Sequence, residues 1–188
     1  MMGTNRNMFT TALTLSFIAG LILLAPEQSF AQEKHKLSWS ARPENTKFTV
    51  QHQLEIPDMP RHAVRLVEIR RTFPENPPMV EGLKVVEEIV HGVSDYIAGN
   101  GRGWGYSLWR YENGDTSFGQ WQNATQTVVK PDGSRSTTFV GTYITTGGTG
   151  KLRGLKGLGR YLGLAELTAE GKTTRNEYAA EGEYWIEK

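Results

Sequence analysis

Apolar and polar residues alternate with a two-residue period along much of this 188-residue chain, the pattern of half-buried strands. Between Lys47 and Ile56 the alternation is strict. Phe48, Val50, His52, Leu54 and Ile56 share one face, and Lys47, Thr49, Gln51, Gln53 and Glu55 the other. Pro57 and Pro60 end that run, because proline cannot donate to a ladder. Val64–Phe73 is a second β-rich run, stopped by Pro74, Pro77 and Pro78. Leu83–Ile97 is a long third run with a bend expected at Gly92. Further strands are expected over Trp104–Tyr111, Thr116–Val129, Ser136–Thr146, Gly157–Leu164 and Glu177–Ile186. Glu112-Asn113-Gly114-Asp115 and Lys130-Pro131-Asp132-Gly133 read as hairpin turns, and Ala98 to Gly103 as a flexible one. Ala165–Arg175 is read as a short turn of helix.

That reading gives eight strands and no long amphipathic helix. A chain of this kind buries its apolar faces by sandwiching two sheets or by closing one sheet on itself. Gly141, Gly157, Gly159, Gly163 and Gly182 lie inside strands, where missing side chains permit tight curvature. The expected fold is therefore all-β: a single antiparallel eight-stranded β-barrel preceded by a cleaved signal peptide.

The N-terminus breaks the alternating pattern. Arg6 is followed by an uncharged stretch, Met8 to Ala25, rich in leucine and isoleucine; Pro26 interrupts it, and Ser29-Phe30-Ala31 places small residues where a signal peptidase reads. An uncleaved anchor is the competing reading, but Thr10, Thr11, Thr14, Ser16 and Gly20 dilute the apolar stretch. The sequence thus divides into a signal peptide, 1–31, and one domain, 32–188, with a secreted or periplasmic location expected. No later segment is apolar enough to cross a membrane as a helix.

The whole chain carries 21 basic and 20 acidic residues, and residues 1–31 contain one of each, Arg6 and Glu27. The charge of the expected mature chain stays near zero, so nothing points to a nucleic-acid partner. The absence of cysteine rules out disulfides, thiolate metal sites and cysteine nucleophiles.

The most distinctive segment is Thr145-Thr146-Gly147-Gly148-Thr149-Gly150-Lys151-Leu152-Arg153-Gly154-Leu155-Lys156-Gly157. With Gly157-Leu158-Gly159-Arg160-Tyr161 and the closing Tyr178-Ala179-Ala180-Glu181-Gly182-Glu183-Tyr184-Trp185, it resembles the allene oxide cyclase barrel-like superfamily, which includes the dirigent proteins. The resemblance covers Thr137 to Lys188. It implies an eight-stranded barrel around an apolar cavity, in a group whose members act on oxylipin epoxides, guide coupling of phenolic radicals or cyclise polyketides. Catalysis there works by holding an apolar molecule in one shape. A phosphate-cradling loop is the rival reading of the glycines. It requires a helix N-terminus after them and a Gly-Lys-Ser/Thr step, and neither is present.

Candidate chemistry is sparse. His52 sits within an apolar strand face, where a histidine satisfied by one carbonyl or hydroxyl is the plainer reading. Glu87, His91 and Asp95 share a strand face, and if that face lines a cavity it sets acids beside an imidazole in apolar surroundings. His52, Glu87 and His91 are thus the catalytic candidates. No His-x-His or His-x-x-x-His pair suggests a metal site, and no cofactor is called for. Among the central aromatics, Trp109, Tyr111, Trp121 and Tyr143 are the candidates for a ligand pocket, with core packing as the alternative role. Asn123-Ala124-Thr125 is a glycosylation sequon, meaningful only in a eukaryotic secretory route.

The leading expectation is an exported barrel that binds a small hydrophobic molecule. A cofactor-independent cyclase or isomerase is the alternative. A structural or adhesive role, or a homo-oligomer, is compatible with the same sequence.

Overall fold

The computed structural model describes residues 32–187; the expected signal peptide lies outside the described residues. Ten strands form one antiparallel sheet: β1 His35–Ala41, β2 Thr46–Glu55, β3 His62–Thr72, β4 Met79–Val80, β5 Leu83–Ile97, β6 Asn100–Tyr111, β7 Thr116–Val129, β8 Arg135–Gly148, β9 Leu155–Leu167 and β10 Thr173–Ile186. The strand order is β1-β10-β9-β8-β7-β6-β5-β3-β2, with β4 added on β5. Short 3-10 turns occupy Pro43–Asn45 and Gly150–Leu152. Among the described residues, no helix is long and apolar enough to cross a membrane.

Three expectations need correction. All eight expected strands are present, but β1 and the two-residue β4 raise the number to ten. The stretch read as helical, Ala165–Arg175, is instead the end of β9, a turn, and the start of β10. The sheet, finally, is not a closed barrel, because β1 and β2 are its two edges and share no ladder. β1 and β2 are joined by only the Pro43–Asn45 turn and its flanking residues, and each pairs away from the other, β1 with β10 and β2 with β3.

The sheet nevertheless rolls until its distant parts touch. Trp39 on β1 meets Trp109 on β6 edge-on at 4.8 Å and Tyr143 on β8 at 5.2 Å between ring centres. The guanidinium of Arg71 on β3 lies 4.1 Å from the centre of the Tyr178 ring on β10. The curvature comes from interior glycines that make room for rings on neighbouring strands. A side-chain carbon on Gly163 would fall inside the Phe139 ring, one on Gly92 inside Trp121, and one on Gly159 or Gly182 against the Tyr143 hydroxyl. Large rings facing missing side chains let the strands bend without leaving voids.

One end of the roll is packed solid. Val80, Val85, Leu152 and Leu155 are buried there with Phe73, Tyr111 and Tyr184. The Gly147–Gly157 segment caps this end as a strand connection, and Asp115 organises it. The Asp115 carboxylate accepts hydrogen bonds from the Lys151 backbone N–H at 3.0 Å and the Thr149 hydroxyl at 3.3 Å. A strand follows the glycines, so the architecture of a phosphate cradle is not formed.

Two bulges decide which side chains face the interior. In β2, Val50 stands opposite Val67 and His52 opposite Leu66, so Gln51 is an extra residue. In β5, Val85 stands opposite Tyr111 and Glu87 opposite Arg110, so Val86 is extra. Each extra residue exchanges the inner and outer faces beyond it.

Candidate functional site

The interior holds a cavity of about 480 Å3. Every strand except the short β4 gives it two or more side chains: Leu37 and Trp39 from β1, Phe48 from β2, Val67 and Ile69 from β3, and Val90 from β5 are typical. At the packed end it stops on Val80, Tyr111, Leu155 and Tyr184. At the other end the lining becomes partly exposed at Arg65, Thr137 and Leu167 and exposed at Thr173. The cavity wall is also incomplete at the β1–β2 seam, where Phe48 lines the cavity and is still 59% exposed.

The aromatic candidates all lie on this wall. Trp109 and Tyr111 project from alternate positions of β6, Trp121 from β7 and Tyr143 from β8. Tyr111 shares a 3.0 Å hydrogen bond with the Ser117 hydroxyl, and burial pushes its phenol up to about 12. Burial likewise raises Tyr143, Tyr161 and Tyr178, with the charge of Glu88 adding to each, so all three phenols stay protonated near neutrality.

The polar candidates are placed differently. The bulge at Gln51 turns His52 outward, where it is exposed beside Leu66. The bulge at Val86 sends Val85 and Glu88 inward and leaves Glu87, His91 and Asp95 on the outer face. The bend expected at Gly92 is not what sets these faces; β5 runs unbroken through it. Glu87 joins a surface network, accepting from Arg70 at 3.1 Å and Arg110 at 3.0 Å. His91 has a 62% exposed side chain and meets Glu68 at 2.9 Å. Asp95 meets His62 at 2.8 Å on the same side of the sheet. The set His52, Glu87 and His91 therefore does not converge on the cavity.

The buried charges that face inward are Arg71 and Glu88, directly opposed across β3 and β5. Arg71 Nη1 donates to Glu88 Oε2 at 2.6 Å, and the two side chains are only 8% and 5% exposed. Burial opposes the charge on Arg71, but the neighbouring Glu88 carboxylate outweighs it and holds the guanidinium firmly protonated. A paired guanidinium and carboxylate is tolerated in such a place because each neutralises the other. The pair passed unnoticed in the sequence, although a signal was present. Arg70-Arg71 and Glu87-Glu88 are charged doublets within strands, and alternation forces one member of each doublet inward whatever the register.

Comparison with protein-family models, curated proteins and solved structures finds no match for this chain.

Proposed function

We propose that this protein binds a small hydrophobic molecule in the interior of its rolled sheet. The observation that carries the reading is the 480 Å3 cavity, walled mainly by apolar and aromatic side chains. Its size falls within the range of small-molecule pockets. A sheet built only for stability fills its centre with side chains, and this one leaves space bounded by Trp39, Trp109, Trp121 and Phe139. The signal-like N-terminus supports placing this binding outside the cytoplasm. The resemblance to allene oxide cyclase-like and dirigent proteins supports the same assignment, because that group holds apolar molecules inside β-structure. The test is native mass spectrometry and solvent extraction of the purified protein, followed by titration with an environment-sensitive apolar dye. A co-purified apolar molecule or saturable dye binding is the expected result. A protein that carries none and takes up no dye overturns the reading.

A cofactor-independent cyclase or isomerase is the second reading. It is favoured by one observation, the Arg71–Glu88 pair set against aromatic walls, in place of His52, Glu87 and His91. Turnover of a bound molecule that is lost when Arg71 and Glu88 are both replaced would distinguish it from binding alone.

A further inference from the structure

Among the described residues, three polar atoms buried among the cavity side chains have no hydrogen-bond partner: Trp39 Nε1, Arg71 Nε and Tyr143 Oη. A buried polar group without a partner costs on the order of 1–3 kcal/mol. Unpaired groups are rare in folded proteins, and their gathering around one cavity calls for a cause. All three are donors, since an indole and a guanidinium only donate and a phenol held protonated has its O–H free.

The three are neighbours in the roll. Trp39 and Tyr143 touch through their rings, Arg71 lies over Tyr178, and the charge of Glu88 reaches Tyr143, Tyr161 and Tyr178. The charge balance of this group restricts what can join it. Glu88 already neutralises Arg71, so the pair leaves no net positive charge to compensate an anionic group buried here. The other cationic side chain of the lining, Arg65, stands at the partly exposed end and is held by Gln53 at 2.5 Å. Donors in excess, no uncompensated positive charge beside them and flat aromatic walls together describe one kind of occupant.

We propose that the cavity selects an uncharged, largely apolar molecule with carbonyl-type oxygens, which accept hydrogen bonds from Trp39, Arg71 and Tyr143. The proposal rests on the ligand-binding reading and adds to it the polarity of the ligand. Each donor belongs to a side chain that lines the cavity, and reaching a bound oxygen requires that side chain to reorient from its packed position.

Three probes of nearly equal shape test it: acetylnaphthalene, ethylnaphthalene and naphthoate, each titrated against the full chain by quenching of its tryptophan fluorescence. The ketone should bind roughly tenfold more tightly than the hydrocarbon, the return on one or two well-made hydrogen bonds. The carboxylate should bind least. Tyr143→Phe removes one donor with little change of shape, and Trp39→Phe removes another and also shortens a packed ring. Both should narrow the preference for the ketone relative to the hydrocarbon in protein that still melts cooperatively. Equal binding of ketone and hydrocarbon, or a preference unmoved in both variants, overturns the proposal and leaves an unselective apolar cavity. Preference for naphthoate overturns the uncharged ligand. Failure of all three to bind overturns the ligand-binding reading as well.

Discussion

The Tyr143 hydroxyl lies where a side chain on Gly182 would begin, two strands away across the roll. Gly182 pairs with Gly159, and that glycine is closed to a side chain by the same hydroxyl. Neither glycine needs a left-handed backbone; both are required for space. Gly182→Val should therefore cost roughly 1–3 kcal/mol by overpacking, read as a lower midpoint in chemical denaturation. Wild-type stability in that variant would show that both the Tyr143 hydroxyl and the Leu158 carbonyl, which crowd that position, give way and that the wall is loose at this point.

Arg71 and Glu88 predict a strongly non-additive pair. Glu88→Leu alone leaves a buried guanidinium uncompensated and should cost about 3–5 kcal/mol; Arg71→Met alone should cost a similar amount. The double replacement removes both charges and should recover most of the loss. A denaturation double-mutant cycle measures the coupling. Additive effects would mean that water reaches the pair and screens it.

Fold class was legible because it rests on period. Eight of the ten strands follow from alternation and turn residues alone, and Gly114 and Gly133 take positive φ in the two turns expected of them. β1 was hidden by its shortness and by the apolar stretch before it, although Leu37, Trp39 and Ala41 do alternate. Barrel closure was not legible, because pairing between β1 and β2 depends on how far the sheet rolls. The candidate site divided along similar lines. Aromatic residues in central strands reached the cavity wall, while His52, Glu87 and His91 did not, because one extra residue in a strand reverses every later side chain. A bulge leaves no mark in alternation when the extra residue and the one before it are both apolar, as Val86 and Val85 are.

In the segment Gly147–Gly157 the glycines have unequal roles. Gly147 and Gly148 are ordinary strand residues of β8, whereas Gly150 and Gly154 have φ of +52° and +80°. A side chain on Gly150 would also run into the Asp115 carboxylate. Gly150→Ala should thus destabilise by more than the ~1 kcal/mol usual for a helix glycine, seen as a lower melting temperature. Affinity for an apolar dye at low temperature should not change, since neither Gly150 nor Asp115 lines the cavity. Lys151, Arg153 and Lys156 should bind no phosphate, because a strand and not a helix N-terminus follows the glycines. Lys151 Nζ is also drawn to the Glu81 carbonyl, and Lys156 Nζ to the Thr146 carbonyl and the Glu187 carboxylate. Saturable phosphate binding lost in Lys151→Ala would contradict this.

His62 lies between two carboxylates, with Nδ1 2.5 Å from Asp58 and Nε2 2.8 Å from Asp95. It ties the β2–β3 turn, which carries Asp58, to β5. Hydrogen bonding to Asp58, then to Asp95, raises the imidazole above its ordinary range, and the bond to His62 lowers Asp58. Because the folded value is raised, the clamp contributes fully below the unfolded histidine value of about 6.5. Its contribution then falls as pH rises through the higher folded value. On the acid side, Asp58 contributes above the ordinary aspartate value of about 3.9 and loses its contribution as pH falls through its lowered folded value. Stability of the turn should therefore be greatest in mildly acidic solution and decline toward alkaline pH. Hydrogen exchange at the Met59–His62 turn, followed from pH 5 to pH 9, should show faster local opening at the alkaline end once corrected for intrinsic exchange rates. His62→Gln should abolish that pH dependence and leave opening uniformly faster than in the wild-type acid form. A wild-type profile flat across this range would mean that His62 stays neutral and that its two carboxylate contacts do not act as a clamp.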